Sequence, residues 1–317
     1  MSKIMTIGEV LVEFIAAERG QPFNAPGQFL GPYPSGAPAI FIDQVGRLGK
    51  SCGMFGSVGD DGFGELNRER LKRDGVDIEH IRVLNNATTG SAFVTYHQDS
   101  SRDFIYNITN AACSQITPNQ ITRDSLSDCQ ILHVMGTSLF SFRVIEATQK
   151  AIRGVKANGG LVSFDPNIRK EMLGLPEMRD ALNYILELTD ILLPSEGELV
   201  TLLGTATEQQ ALDEVFRLGV NEVIVKLGSK GGRYHDRSGR HIDAPGFTVE
   251  ECDPTGAGDC FGATYIALFG DDLSIEERLR YANAAGARAV TCMGPMEGAS
   301  SMAELDEFIE QHAADIH

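Results

Sequence analysis

The sequence predicts an α/β fold in which a mostly parallel β-sheet carries helices on both faces. Short apolar segments that are typical of buried strands alternate along the chain with segments of helical periodicity. Many of the 34 glycines also lie where an apolar segment ends, which is typical of the turns in such a chain. Because neither an internal repeat nor an interdomain linker divides the sequence, we expect one domain over residues 1–317.

The predicted elements follow one another in β–α–β order, which favours a parallel sheet. The first are a strand at 4–8, a helix at 37–48 with Ile40, Val45 and Leu48 near one face, a strand at 51–58 and a charged helix at 60–74. Strands at 131–135 and 161–164 flank a helix at 142–158. Strands at 191–193 and 222–227 are separated by helices at 197–203 and 208–218, and three helices follow at 257–269, 275–291 and 302–313.

Two stretches interrupt this alternation. A strand-like segment at 10–16 is followed by residues rich in proline and glycine between 22 and 36. Residues 91–98 and 103–109 alternate apolar and polar side chains around a polar turn, which predicts a hairpin with one face in water. We therefore expect a small second sheet that projects from the main domain.

Composition and charge exclude several classes of protein. The 27 Lys+Arg and 44 Asp+Glu give a net charge of −17, whereas a nucleic-acid-binding protein needs a basic face. No apolar run reaches the roughly 18–20 residues of a membrane helix, and no signal-peptide pattern is visible, so we expect a cytoplasmic protein with no membrane partner. The six cysteines and seven histidines lack metal-ligand spacing, which indicates free thiols.

The most informative segment is Asp-Pro-Thr-Gly-Ala-Gly-Asp at 253–259, which leads into a helix. Its small residues let backbone amides approach an anion at the positive end of that helix. A carboxylate at Asp259 is unfavourable beside a phosphate unless it takes a proton from an attacking hydroxyl. Two alternatives are a glycine-rich turn that only packs tightly and a dinucleotide-binding fingerprint, although that fingerprint would open the first β–α unit of its domain.

Further blocks accompany this segment in a fixed order. They are Ser35-Gly36-Ala37-Pro38-Ala39 with Arg47-Leu48-Gly49, the stretch 56–64, Asp165-Pro166-Asn167-x-Arg169, Lys226-Leu227-Gly228-x-x-Gly231-Gly232 and Ala282-Asn283-Ala284-Ala285. Together they resemble the PfkB/ribokinase family of carbohydrate kinases over nearly the whole chain. The resemblance implies a ribokinase-like, doubly wound, mostly parallel sheet with a small β-sheet lid, which we expect at about 9–35 and 87–110. It also implies ATP and a sugar as partners, and a homodimer formed through the lid.

The resemblance further implies roles for individual residues. Asp259 is the expected catalytic base, and the amides of Gly256, Ala257 and Gly258 are the expected anion hole for the transferring phosphoryl group. The residues expected near ATP are Lys226, Gly228, Gly231 and Asn283, and those expected near the sugar are Glu9, Glu13, Ser35, Gly36, Ala37, Tyr106, Asn107 and Arg169. Mg²⁺ is expected to bridge ATP phosphates near Glu198, and Asp253 and Thr255 are expected to help hold a monovalent cation such as K⁺, as in some family members. Ser195 departs from the asparagine that the family often has three residues before that glutamate.

The opening Gly8-Glu9-Val10-Leu11-Val12-Glu13 resembles the branch of the family that contains 2-keto-3-deoxygluconate kinases, fructokinases and tagatose kinases. In keto-deoxygluconate kinases a lid arginine suits the acid sugar. Aligned through Ala111-Ala112, this chain has Asn107 at that position, and a neutral amide suits a hydroxyl better than a carboxylate. We therefore expect a neutral ketohexose of the tagatose or fructose type. Arg102 or Arg169 leaves an acid sugar open, and a nucleoside kinase and a non-catalytic sugar- or nucleotide-binding protein are further alternatives.

Overall fold

The computed structural model describes residues 3–97, 101–168 and 176–312, which form two β-sheets and their surrounding helices. The nine-stranded sheet contains β1 (Lys3–Ile7), β4 (Cys52–Gly59), β5 (Ile81–Leu84), β8 (Cys129–Met135), β9 (Leu161–Asp165), β10 (Ile191–Leu192), β11 (Glu222–Lys226), β12 (Gly231–Asp236) and β13 (His241–Pro245). The four-stranded sheet contains β2 (Leu11–Ala16), β3 (Phe29–Ser35), β6 (Gly90–Tyr96) and β7 (Arg102–Asn107). The α-helices within the described ranges are α1 (Ala37–Arg47), α2 (Gly62–Arg73), α3 (Phe142–Ala157), α4 (Pro176–Leu186), α5 (Glu198–Leu203), α6 (Glu208–Leu218), α7 (Ala257–Ala267), α8 (Ile275–Ala289) and α9 (Met302–Gln311).

The large sheet is parallel over most of its width. Its order is β13-β12-β11-β10-β9-β8-β1-β4-β5, and every neighbouring pair from β11 to β5 is parallel, whereas β12 is antiparallel to both neighbours. Two apolar clusters fill the two faces, one with α1, α2, α7, α8 and α9 and the other with α3, α4, α5 and α6. The predicted doubly wound α/β fold is therefore confirmed. None of the helices in the described ranges is long and apolar enough to cross a membrane.

Local sequence explains where several helices begin. Asp61 caps α2 by accepting a hydrogen bond from the Gly64 amide at 2.9 Å. Ser274 begins α8 and Ser301 begins α9, each in a capping box with a glutamate three residues later. α7 differs, because its N-cap is a glycine with no side chain to satisfy the first amides, which stay available to a ligand.

The small sheet, here called the lid sheet, has the order β3-β2-β6-β7 and two unlike faces. Strand register pairs Glu13 with Ala92 and Phe14 with Phe93, so side chains alternate between the faces. The face that carries Glu13 and Tyr96 packs toward the main domain and is called the cleft face, because the Tyr96 hydroxyl contacts Asp253. The face that carries Phe14 and Phe93 is called the outer face.

Five elements of the described residues lie outside the predicted ones, namely the strands β3, β5, β12 and β13 and the helix α4. Strand β3 lies in the proline-rich segment, and it tolerates Pro32 and Pro34 because it is an edge strand of its sheet. Strands β12 and β13 lie at one edge of the large sheet, where partly exposed residues give no continuous apolar pattern. The predicted helix at 302–313 ends at residue 311, and its last predicted residue lies outside the described ranges.

Candidate active site

The candidate site lies where the carboxyl ends of the parallel strands meet the start of α7. Glu9 follows β1, Asp165 ends β9 and Lys226 ends β11, while Asp259 lies in the first turn of α7. Carboxyl ends of parallel strands share one edge of a sheet, and that edge is where open α/β sheets bind ligands. Charged groups that are up to 250 residues apart in the sequence (Glu9 and Asp259) are thereby brought into mutual electrostatic range.

The turn before α7, which was expected to form the anion hole, requires a glycine at its N-cap. Gly256 is the N-cap and has φ 86°, which a side chain would strain. A Cβ atom at Gly256 would also lie 2.4 Å from the carbonyl oxygen of Pro295. Only glycine fits at position 256, and the amides of Gly256, Ala257 and Gly258 lie at the positive end of α7.

Asp259 is 8% exposed, and its protonation is set by this burial and by four neighbours. Burial and the nearby carboxylates of Asp165 and Glu9 raise the pKa of Asp259, whereas Lys226 and Arg102 lower it, and the net result is a pKa of about 7. A carboxyl group that titrates near neutral pH is suited to accept a proton from an alcohol. The predicted base therefore lies in an environment that fits that role.

Lys226 forms a buried ion pair with the carboxylate of Asp165. Burial lowers the pKa of Lys226, but Asp165 and Glu198 more than offset this and hold it above its usual value, so the ammonium stays charged. Its Nζ lies 3.6 Å from the position that a Cβ atom would take at Gly258. A fixed positive charge therefore lies against the turn that begins α7.

On the expected sugar side, Glu9 and Glu13 are both buried. The carboxylate of Glu9 accepts hydrogen bonds from Ser138 Oγ at 2.6 Å and Thr137 Oγ1 at 3.0 Å. Glu13 accepts one from Ser35 Oγ at 3.3 Å. The structure thus brings two acidic acceptors together between the lid sheet and the edge of the large sheet.

Gly36 and Ala37 form the start of α1 beside these acids. Gly36 has φ 111°, and a Cβ atom there would lie 2.5 Å from the carbonyl oxygen of Glu9. The missing side chain therefore lets the beginning of α1 close onto Glu9. Ala37 is half-buried at the first position of the helix.

The prediction that Asn107 contacts the sugar needs correction. Strand register pairs Asn107 with Ser91 on the outer face, and its amide nitrogen lies 3.4 Å from Ser91 Oγ. Tyr106 pairs with Ala92 and Arg102 with Tyr96, so these two side chains lie on the cleft face. Alignment through Ala111-Ala112 did not fix which face each residue of β7 occupies. Arg169, also predicted near the sugar, lies outside the described residues.

The residues expected near ATP lie at the β11–β12 turn and on α8. Gly228 and Gly231 form that turn with φ 60° and 104°, next to Lys226. Asn283 of α8 donates its amide hydrogens to the carbonyl oxygens of Ala244 at 3.1 Å and Pro245 at 3.0 Å. Asn283 therefore holds the end of β13 in place beside this turn.

The candidate metal ligands are already occupied by hydrogen-bond donors. Glu198 accepts the amide hydrogens of Ser195 at 2.6 Å and Ile168 at 2.9 Å. Asp253 is fully buried and accepts from the Tyr96 hydroxyl and from the amides of Thr255 and Gly294. Among the residues that the structure describes, no cluster of three or more His, Cys, Asp or Glu has the arrangement of a metal site.

Sequence analysis assigned no role to Tyr96, Thr137, Ser138 or the Lys226–Asp165 pair. Tyr96 contacts a residue 157 positions away, and Ser138 contacts one 129 positions away. Only the tertiary fold brings such pairs together. The signals in the sequence were Asp165 and Lys226, each of which opens a motif block already noted.

Comparisons with known proteins agree with this geometry. The model of the "pfkB family carbohydrate kinase" matches residues 1–302. The protein of Arabidopsis thaliana named "Probable fructokinase-2" is 31% identical over 97% of this chain and 95% of its own length. A crystal structure of an E. coli protein provisionally named ribokinase II, with ATP and Mg²⁺, has a TM-score of 0.94 and 54% identity over 98% of this chain and all of its own. The fructokinase of Vibrio cholerae O395, bound to fructose, ADP and calcium ion, has a TM-score of 0.84 and 28% identity over 97% of this chain and 99% of its own.

Proposed function

Because this chain belongs to the pfkB family of carbohydrate kinases, we propose that it transfers the γ-phosphoryl group of ATP to a hydroxyl of a neutral ketohexose, of the fructose or tagatose type. The observation that carries the proposal is the position of Asp259, whose pKa is raised to about 7 directly beside the glycine amides that begin α7. The fructokinases among its relatives support a ketohexose as the acceptor.

The acidic lining of the cleft supports a neutral sugar. Glu9 and Glu13 are buried carboxylates that accept hydrogen bonds, and such acceptors pair well with sugar hydroxyls. A carboxylate on the sugar would instead meet like charges, which costs several kcal/mol. Since Asn107 lies on the outer face, these buried acids and not Asn107 favour a neutral acceptor.

In the proposed mechanism the sugar binds beneath the lid sheet, which excludes water as a competing acceptor. A primary hydroxyl oxygen attacks the γ-phosphorus in line, Asp259 takes its proton, and the bond from the γ-phosphorus to the bridging oxygen breaks to release ADP. The amides of Gly256, Ala257 and Gly258 donate to the transferring group, where charge is redistributed in the transition state. Lys226 adds a fixed positive charge that needs no reorganisation.

The proposed cofactors are Mg²⁺, carried by ATP, and a monovalent cation such as K⁺, and the candidate metal ligands fit them differently. Mg²⁺ carried by ATP would neutralise charge on the β- and γ-phosphate oxygens, and the E. coli relative with ATP and Mg²⁺ supports this pair of ligands. Glu198 fits a contact through water, since both of its oxygens already accept backbone amides. Asp253 does not fit as a direct side-chain ligand of K⁺, because hydrogen-bond donors occupy both of its oxygens.

The test of the proposed function is ADP release with Mg·ATP on tagatose, fructose, 2-keto-3-deoxygluconate, ribose and adenosine. We expect kcat/KM for fructose or tagatose to exceed that for the keto acid by about 100-fold or more, because like charges oppose the acid. A preference for the keto acid would contradict the neutral acceptor. It would favour the second candidate, an acid-sugar kinase, for which the cleft-facing Arg102 is the supporting observation.

We also propose that two copies associate through the outer face of the lid sheet. Phe14 stacks on Phe93 at 5.0 Å and Phe93 contacts Phe29 at 5.5 Å, so this face is aromatic, and Ile105 on it is 44% exposed. Replacing Ile105 by glutamate should weaken a dimer by about tenfold or more, measured by sedimentation equilibrium. Val83→Glu is the control, since Val83 is 39% exposed on β5 of the large sheet. A wild-type monomer, or equal effects of the two variants, would contradict the proposal.

A further inference from the structure

We propose that Tyr96 and Arg102 of the lid sheet are positioning residues that form a latch on the turn preceding α7. Through this latch, closure of the lid over the sugar is coupled to assembly of the anion hole. The inference rests on the proposed sugar kinase activity and deepens it.

The latch is a continuous chain of hydrogen bonds that crosses from the lid sheet to the main domain. Arg102 Nη1 lies 3.4 Å from Thr255 Oγ1, Thr255 Oγ1 lies 3.0 Å from the Tyr96 hydroxyl, and that hydroxyl lies 2.5 Å from Asp253 Oδ1. If Arg102 donates to Thr255, Thr255 donates to Tyr96 and Tyr96 donates to Asp253, each hydroxyl both accepts and donates. Such a chain is polarised in one direction and ends on a carboxylate, which strengthens its members.

The far end of the chain reaches the anion hole. Asp253 is fully buried and also accepts the amide hydrogens of Thr255 and Gly294, each at 3.0 Å. Pro295 follows Gly294, and its carbonyl oxygen is the atom that would lie 2.4 Å from a Cβ atom at Gly256. The carboxylate that receives the Tyr96 hydroxyl therefore holds together the two segments between which Gly256 lies.

The near end of the chain brings a positive charge to the site. Arg102 packs over the ring of Phe104 at 5.5 Å and is largely exposed, apart from its contact with Thr255. The charged groups around Asp259 are Asp165 on β9, Glu9 after β1, Lys226 on β11 and Arg102 on β7, and Arg102 is the member that the lid carries. Its arrival on closure therefore favours the ionised, proton-accepting form of Asp259.

The variant Tyr96→Phe tests the latch, because it removes one hydroxyl and keeps a ring that is 7% exposed. We expect kcat/KM for the sugar to fall about 10- to 100-fold, as for loss of a hydrogen bond to a charged group. We also expect more ADP than sugar phosphate, because a lid that closes poorly admits water to the phosphoryl group. Tyr281→Phe is the matched control, since the Tyr281 hydroxyl donates to Asp306 at 2.6 Å on the surface formed by α8 and α9.

Two further measurements separate the latch from a general loss of structure and from the proposed function. Thr255→Val combined with Tyr96→Phe should be little worse than Tyr96→Phe alone, because both break one chain. Hydrogen exchange of the β6 and β7 amides, measured without substrate, should accelerate in Tyr96→Phe and not in Tyr281→Phe. If Tyr96→Phe and Tyr281→Phe release ADP and sugar phosphate in the same ratio and exchange their β6 and β7 amide hydrogens at the same rates, the latch is overturned. A wild-type protein that phosphorylates no sugar would overturn the proposed function, and the exchange result would still decide the latch.

Discussion

Replacing Asp259 by asparagine is expected to lower turnover about a thousandfold while leaving the fold intact, because general-base catalysis contributes about 10²–10⁴-fold. The asparagine keeps the shape of a side chain that is 8% exposed but cannot accept the hydroxyl proton. Steady-state ADP release, with the melting temperature measured in parallel, checks this. Near-normal turnover in a folded variant would remove Asp259 from the role of base.

The pH dependence provides the control for that result. Since burial raises the pKa of Asp259 to about 7, the wild-type rate should rise as pH increases through 7, when the carboxyl group ionises.

A folded-state pKa above the ordinary value of 3.8 means that ionisation of Asp259 destabilises the native state as pH rises. The asparagine variant should therefore gain stability relative to wild type between pH 5 and 8, by about 2–4 kcal/mol at most. A variant that is less stable than wild type at pH 8 would contradict this electrostatic account.

Replacing Lys226 by methionine is expected to destabilise the protein by about 3–5 kcal/mol and to lower turnover about 100-fold. The loss of stability follows because Asp165, 1% exposed, would remain buried without its ion-pair partner. The loss of turnover follows because the anion-hole turn would lose its adjacent positive charge. Chemical denaturation and ADP release measure the two effects.

A double variant separates the two effects of Lys226. Adding Asp165→Asn to Lys226→Met should recover most of the stability, since neither partner is then charged, while turnover stays low. Lys50→Met is the matched surface control, because Lys50 pairs with Asp271 at 2.7 Å in an exposed position, where such pairs contribute about 1 kcal/mol or less. Recovery of turnover in the double variant would show that Lys226 acts through Asp165 alone.

The parts of this site that the sequence predicted are those in which chemistry and local structure lie in one segment. Residues 253–259 contain the turn, the helix start and the candidate base within seven positions, so backbone geometry alone relates them. The strands that precede Glu9 and contain Lys226 were predicted from their continuous apolar patterns, whereas the roles of these two residues were implied only by the family resemblance.

The remaining parts depend on tertiary contacts or on strand register. Asp165 and Lys226 are 61 residues apart, and neither side chain indicates the other in the sequence. Whether Tyr106 or Asn107 enters the cleft depends on the pairing of β6 with β7, and an error of one position reverses the answer. Tyr96 reads in the sequence as an ordinary strand aromatic, and its hydroxyl acquires a partner only when the lid sheet meets Asp253.

The pairing of β6 with β7 also limits how the acceptor preference of this chain can evolve. A shift of this register by one residue would transfer Arg102, Phe104 and Tyr106 to the outer face and place Asp103, Ile105 and Asn107 on the cleft face. Such a change would remove the latch, the cleft-facing rings of Phe104 and Tyr106 and the positive charge of Arg102 together. Within β7, substitutions at every second position are therefore the changes that alter the cleft face without reversing the two faces of the strand.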